Sequence, residues 1–361
     1  MADQITSTTS IGKRGAYITL DSSDTVLSTD SVTAAMWSGN NPTLRTFLSS
    51  SAQVTSAVKE YYTSVFQTAS TGITAAIQFD IAYANSKGSG SVPLNPLVVG
   101  TTPTRINYGS YRNLILGDEN ATFIFGNYSA SDFYCLPIER ARYKQSILPG
   151  TWTMNISGST NNLQLTDDSK VNTVAQFSDA GRYYNIISGS AGVVATDIVS
   201  TVDGWTPASG SYGWVLPDVS LLVLNAAALD GAAADGGITL GTARNNGTWD
   251  DNSAKIISAL RLSADASGSG GFTLNSKEDL SSDFIFCRAK SQEYNYSANP
   301  SFISSSTGAI LFDSFIDNPT TYITTVGLYN QSQELLAVAK LSRPLEKDFT
   351  KELLVRVKLD F

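Results

Sequence analysis

Side chains able to do chemistry cluster in three places: Arg140, Arg142 and Lys144 in "IERARYKQSILPGTW", Arg288 and Lys290 at the head of "RAKSQEYNYSANPSFI", and Arg343, Lys347 and Lys351 ahead of "LLVRVKLDF". The first two clusters have the same form, each following an aromatic, cysteine-containing run: "FYCLPIERARYK" and "FIFCRAKSQEYNY". That likeness predicts that the two runs are neighbouring strands of one sheet. In the second cluster Arg, Tyr and Phe, types enriched where protein surfaces meet, precede an Asn-Pro that holds the backbone extended or turned. Two readings are open. The segment docks a neighbouring protein, or its charges are ordinary solvated ones and its tyrosines fill a core. On the docking reading the interface residues are Arg140, Arg142, Lys144, Arg288, Lys290, Tyr294, Tyr296, Arg343, Arg356 and Lys358.

Catalytic chemistry is narrowed by what the chain lacks. It has no histidine, which excludes Ser-His-Asp and Cys-His arrangements, His-ligated zinc and a His general base. Cys135 and Cys287, its only cysteines, cannot build a four-cysteine metal site. They read as small buried hydrophobes, with a disulfide between them as the alternative. No phosphate-binding glycine loop occurs, and "GSGSV" and "SGSGG" read as linkers. "NNGTWDDNS" at 245–253 and "LDGAAADGG" at 229–237 miss the spacing of a calcium loop, and turn formation explains both. Trp205, Trp214 and Trp249 suit a sugar platform or, more simply, core packing. A pair of carboxylates for glycoside cleavage is a spatial arrangement that sequence does not reveal. The expectation is a chain with no catalytic, cofactor or metal site.

Composition agrees with a structural role. At 361 residues and 42% apolar content the chain has enough material for a large core. Only 16% of it is charged, below the roughly 25% of ordinary soluble domains, with Ser, Thr, Asn and Gly in place of charge. The net charge of −8 is uneven: residues 151–283 hold 14 acidic and 6 basic side chains, leaving 18 of each elsewhere. An acidic stretch between balanced flanks predicts an inserted, solvent-facing domain and makes nucleic acid an unsuitable partner for it. The beginning of the sequence lacks the pattern of a secretory signal, and its longest apolar run, "VSLLVLNAAAL", is too short for a bilayer.

The elements that position these residues read as mostly β. Val54, Val58, Tyr61, Tyr62, Val65 and Phe66 recur at helical spacing and predict an amphipathic helix over 52–67. After it come strand-like runs broken by Gly, Pro, Asn and Ser, among them "GITAAIQFDIAYA", "ATFIFG", "DFYCLPI", "TWTMNISG" and "SYGWVLPDVSLLVLN". "SYRNLIL" is open to helix or strand, and "DNSAKIISALRLSA" has a helical reading. "YITTVGLYN" and "ELLAVAKL", joined by "QSQ", predict a hairpin, with Pro344 stopping its pairing before the next strand. "LLVRVKLDF" alternates strictly, with Leu353, Val355, Val357, Leu359 and Phe361 on one face and Leu354, Arg356, Lys358 and Asp360 on the other. The expected fold is mainly β (α+β), a β-sheet or sandwich core with an N-terminal amphipathic helix and an inserted β-rich lobe. Its expected divisions are 1–75 (arm and helix), 76–150 plus 284–361 (core domain) and 151–283 (insertion).

The ordered set "IQFDIAYANSKGSGS", "YGSYRNLIL", "IERARYKQSILPGTW", "GRYYNIISGS", "YGWVLPDVSLLVLN", "RAKSQEYNYSANPSFI" and "YITTVGLYNQSQELLAVAKLSRPLEKDFTKELLVRVKLDF" resembles a family of virion structural proteins of contractile-tailed bacteriophages, cyanophage-type myoviruses in particular. The resemblance covers most of the chain from about residue 76 onward. It departs from the family at Tyr83-Ala84-Asn85, where relatives carry Tyr-Gly-His. The resemblance implies a tail or baseplate component made in the host cytoplasm and built into the virion. Its implied partners are other virion subunits, copies of itself included, with no membrane, no nucleic acid and no catalysis. A neck or connector-associated component and a host-glycan binding module are the alternatives it leaves.

Overall fold

A computed structural model describes residues 18, 20–37, 43–50, 61–91, 97–98, 101–158, 161–172, 174–195, 212–244, 251–267, 271–297 and 299–360. Two compact units divide the chain: a central unit, Val32–Glu278, and a terminal unit made of Met1–Ser31 with Asp279–Phe361. The fold is mainly β.

In chain order the elements begin with β1 (Thr25–Ala35), β2 (Thr43–Leu44), β3 (Leu48–Ser50), β4 (Tyr62–Phe66), β5 (Ile77–Asn85) and helix α1 (Pro103–Leu116). Then come β6 (Phe123–Phe125), β7 (Tyr128–Ala130), β8 (Asp132–Pro137), β9 (Ser146–Ile147), β10 (Thr153–Ser157), β11 (Asn162–Asp167), β12 (Gln176–Ser178), β13 (Gly181–Ser190) and β14 (Val193–Val194). β15 (Gly213–Leu216), β16 (Leu221–Asn225), α2 (Ala226–Asp230), α3 (Asn252–Ser267), β17 (Phe272–Thr273) and β18 (Asn275–Ala289) follow. The last elements are α4 (Ser314–Asp317), β19 (Thr321–Tyr329), β20 (Leu335–Lys347) and β21 (Leu353–Asp360). Among the described residues no helix is long and apolar enough to cross a membrane.

The central unit is built on one sheet of order β2-β17-β10-β11-β13-β15-β16-β8-β5-β4-β3, paired antiparallel throughout. β2 and β3 stand at opposite ends of that path, yet only Arg45, Thr46 and Phe47 separate them in sequence. Three residues span roughly 10 Å at full extension. The sheet therefore curls until its ends approach, and it has a lined interior.

Its middle strands are buried on both faces, which is why "DFYCLP" and "LLVLN" read as unbroken apolar runs instead of alternating. One face carries Tyr83, Tyr134, Leu136, Leu222 and Leu224 into the main core with Trp37, Phe79, Trp152 and Phe272. The other carries Ala82, Phe133, Cys135 and Val223 against α1 and the β6–β7 hairpin through Tyr108, Ile115, Phe123 and Phe125. The register Tyr83↔Tyr134 and Tyr134↔Leu224 keeps each set on its own face. Each large side chain buried in this way contributes about 1.5–3 kcal/mol. α1 starts at Pro103 and ends at Gly117, whose φ of 64° and N–H bond to the Asn113 carbonyl close the last turn.

The terminal unit is smaller. β18 pairs with β1 and β21, and β19 pairs with β20. Ile285↔Val357 and Cys287↔Val355 lie opposite each other on the inward face of the β18–β21 pair. They meet Leu328, Val326, Ala337, Ala339 and Leu345 of the β19–β20 hairpin in a core that Leu20 completes.

Several expectations are corrected. Of the helix expected over 52–67, residues 51–60 lie outside the described residues, and Tyr62–Phe66 is strand β4. Thr63 and Val65 are buried there between half-buried neighbours, the period of a strand, and the Tyr-Tyr and Val-Phe pairs imitate helical spacing only because both faces carry apolar atoms. The two cysteine-bearing strands are not neighbours: Cys135 lies on β8 between β5 and β16, and Cys287 on β18 between β1 and β21. Both thiols are free. Residues 151–283 do not form a separate insertion, since β16 pairs with β8 along five residues and most of the stretch shares the sheet of 76–150. Pro344 does not stop β20. The strand passes it through a bulge, where the register shifts between Ile323 and Thr325, so the missing N–H costs no ladder bond. "SYRNLIL" is the second half of α1 and "DNSAKIISALRLSA" begins α3.

Candidate functional site

"RAKSQEYNYSANPSFI" follows directly from β18 and turns sharply in the terminal unit. Lys290 N donates to Glu293 Oε2 at 3.0 Å, and Tyr294 takes a positive φ of 57°, a conformation strained for a residue with a Cβ. Two side chains hold that turn. Thr321, opening β19, donates its hydroxyl to the Tyr294 carbonyl. Lys347, closing β20, is fully buried at 0% exposure and spends its ammonium donors on three neutral oxygens: Ser291 O at 2.9 Å, Asn295 Oδ1 at 2.9 Å and Asp348 O at 2.7 Å. A buried ammonium is tolerated only when it is satisfied in this way. Both ends of the hairpin's base thus fix the segment.

What the clamped turn presents is aromatic. Tyr296 is 58% exposed and meets Phe302 edge-on at 5.6 Å. Phe302 stacks on Phe315 at 4.8 Å, and Phe315 meets Phe312 edge-on at 5.7 Å. Leu311, Phe312 and Ile316 are exposed beside these rings. The result is an apolar patch exposed at Tyr296, Leu311, Phe312 and Ile316 and backed by the buried Phe302 ring, the composition of an interface core. Burial pushes the Tyr294 phenol up to about 12, so it stays neutral in the ordinary pH range.

The remaining expected contact residues divide. Arg288 pairs with Glu352 at 2.6 Å on the surface, and the bond holds that carboxyl below its ordinary value. Arg356 and Lys358 stand over the Phe284 ring at 5.3 and 5.9 Å, and Lys358 also reaches Asp360 at 2.8 Å. They lie on the wet face of β21, as the alternation predicts; Phe361 lies outside the described residues. Lys290 and Arg343 are exposed. Arg140, Arg142 and Lys144 belong to the central unit. There Arg140 stacks on Tyr143 at 4.7 Å and donates to the carbonyls of Tyr143 and Lys144 at 2.9 and 2.7 Å, holding its own loop. Arg142 is half-buried, and Lys144 is 3.9 Å from Glu278. Lys347, Thr321 and the phenylalanines at 302, 312 and 315 were not among the expected contact residues.

The central unit holds a second polar cluster. Asp132, at 0% exposure, accepts from Arg244 Nε at 2.7 Å and from the Tyr83 hydroxyl at 3.0 Å. Arg244 Nη2 forms an ion pair with Asp230 at 2.6 Å, and Asp230 Oδ1 accepts from both the N–H and the hydroxyl of Thr242. Asn85 donates to the Tyr83 hydroxyl at 3.1 Å, and its Oδ1 accepts from the N–H groups of Lys87 and Ser89. Burial raises the carboxyl of Asp132 above its ordinary value, against the pull of Arg244. These partners are all within the protein, so the cluster fastens residues 241–244 to the sheet.

Among the described residues no group of acidic or cysteine side chains is placed to hold a metal ion. Asp230 and Asp235 fall in α2 and the turn after it, Trp214 packs in the core, and Trp205 and Trp249 lie outside the described residues. No protein family, curated protein or solved structure matches this chain.

Proposed function

We propose that the chain is a structural subunit of a contractile-tailed phage virion, a tail or baseplate component that works by assembly and not by catalysis. Its partners are other virion subunits, further copies of itself among them. The observation that carries the reading is the ring series Tyr296, Phe302, Phe315 and Phe312, exposed at its two ends, Tyr296 and Phe312, and beginning beside a turn held by a fully buried lysine. A free monomer gains nothing from holding such a surface in water, whereas an interface gains both burial and pre-organisation. The ordered motifs that resemble virion proteins support the same reading.

The test is incorporation. Tyr296→Ser with Phe312→Ser should leave the subunit folded and remove it from purified particles. Wild-type incorporation of the double variant contradicts the docking role. A host-glycan binding role has its own supporting observation, a polar cleft beside α1.

A further inference from the structure

The central unit holds a cleft of about 220 Å³ lined by residues of α1, the loop after it, β7 and the turn after β5. Arg112 and Tyr108, one helical turn apart, form one wall, with the guanidinium 5.8 Å from the centre of the Tyr108 ring. Ser86, Asn120, Thr122, Ser129 and Ser131 line the rest, and no described lining residue is acidic. The walls are tied together. Ser86 N donates to Ser131 O at 2.8 Å, the Tyr108 hydroxyl donates to Ala130 O at 3.3 Å, and Asp118 Oδ1 holds Asn120 N at 2.8 Å.

Arg112 is the unusual member. Among the described residues it forms no ion pair and donates no hydrogen bond, and its Nε is buried without a partner. An arginine that lines a cleft without an ion pair inside the protein leaves its guanidinium charge for a bound anion.

We infer that this cleft binds a carboxylated sugar residue, with Arg112 taking the carboxylate and the serine, threonine and asparagine side chains taking ring hydroxyls. Charge selects the anion: a single guanidinium balances one carboxylate and leaves a phosphate dianion half compensated. Size and lining select the rest. The cleft is below the roughly 300–1,000 Å³ of pockets for larger ligands, so it accepts one ring. An acidic protein side chain would leave most of the polar lining unmatched, whereas a hexuronate adds several hydroxyls and a ring oxygen to its carboxylate. This inference does not depend on the virion reading, and particle incorporation is unaffected by its failure.

The probe is glucuronate titrated into the full chain, followed by NMR shifts or calorimetry, with glucose, acetate and inorganic phosphate as comparisons. Glucuronate should bind roughly tenfold or more tightly than each of the three, and Arg112→Gln should weaken it by a similar factor with an unchanged melting temperature. Ser129→Asp, which sets a competing carboxylate in the cleft, should produce the same loss and serves if the glutamine variant fails to fold. Equal binding of acetate would show a site for any carboxylate, equal binding of glucose a site blind to charge, and equal binding of phosphate a site for anions at large. Each of these overturns the inference, as does glucuronate binding that survives both substitutions.

Discussion

Lys347 Nζ lies 2.9 Å from Asn295 Oδ1, a bond between residues 52 positions apart that fastens the end of β20 to the turn after β18. Asn295 directly precedes Tyr296 and Lys347 reaches it from far along the chain; together with Ser291 and Asp348 they set the backbone that presents Tyr296.

Lys347→Met should therefore loosen this turn more than it harms the rest. It orphans three oxygens, each costing about 1–3 kcal/mol if left buried and unpaired. The expected outcome is a fall of several kcal/mol in the stability of the terminal unit, with amide exchange in 290–297 rising first. Unchanged protection there contradicts the clamp.

Arg244→Met tests the central cluster. Asp132 is fully buried and would keep its charge unmatched, a situation that costs about 3–5 kcal/mol. Asp132→Asn in the same background should recover part of the loss, because it removes the charge that Arg244 compensates. Chemical denaturation of the single and double variants measures both; additive losses contradict the pairing.

The pH dependence of one surface pair has a definite sign. Arg182 bonds Asp218 through Nε at 3.2 Å, Nη2 at 2.7 Å and its backbone N–H at 3.2 Å, which holds the carboxyl below its ordinary value of 3.8. A depressed carboxyl contributes stability above the unfolded value and loses it as pH falls through the folded one. Wild type should exceed Asp218→Asn by about 0.2–1 kcal/mol near pH 7, a small difference because the pair is part-exposed. The difference should vanish below the ordinary carboxylate range. A gap that widens in acid contradicts the assignment.

Strand β21 separates folding from docking. Deleting residues 353–361 removes Leu353, Val355, Val357 and Leu359, uncovers Ile285 and Cys287, and leaves β18 with an open edge. At about 1.5–3 kcal/mol for each fully buried side chain against a total of about 5–15 kcal/mol, the truncated chain should be insoluble. Arg356→Ser with Lys358→Ser changes only the wet face and should leave the thermal midpoint within a few degrees. Soluble, native-like truncated protein contradicts this account of the strand.

Local patterns were legible where one face alone was buried. The alternation of β21, the hairpin around "QSQ" and the β character of the chain all follow from period two. The period misled at Tyr62–Phe66, where half-buried aromatics on both faces of β4 mimic a helix stripe. Charge misled about 151–283, because net charge reports surface and says nothing of which strands share a ladder. Nothing in the sequence sets Lys347 apart from Arg343 and Lys351, since a buried lysine is recognisable only from the three oxygens that surround it. The Asp132–Arg244 pair spans 112 positions and had no local signal.

The most direct test of the central claim is the copy number of this chain in purified particles, measured for wild type and for Tyr296→Ser with Phe312→Ser under equal expression. Assembly through the clamped aromatic surface predicts a fixed, symmetry-related number of wild-type copies per particle. It also predicts a fall of roughly tenfold or more for the folded double variant, the effect of losing two interface anchors. A wild-type chain absent from particles, or a double variant present at the wild-type number, contradicts it.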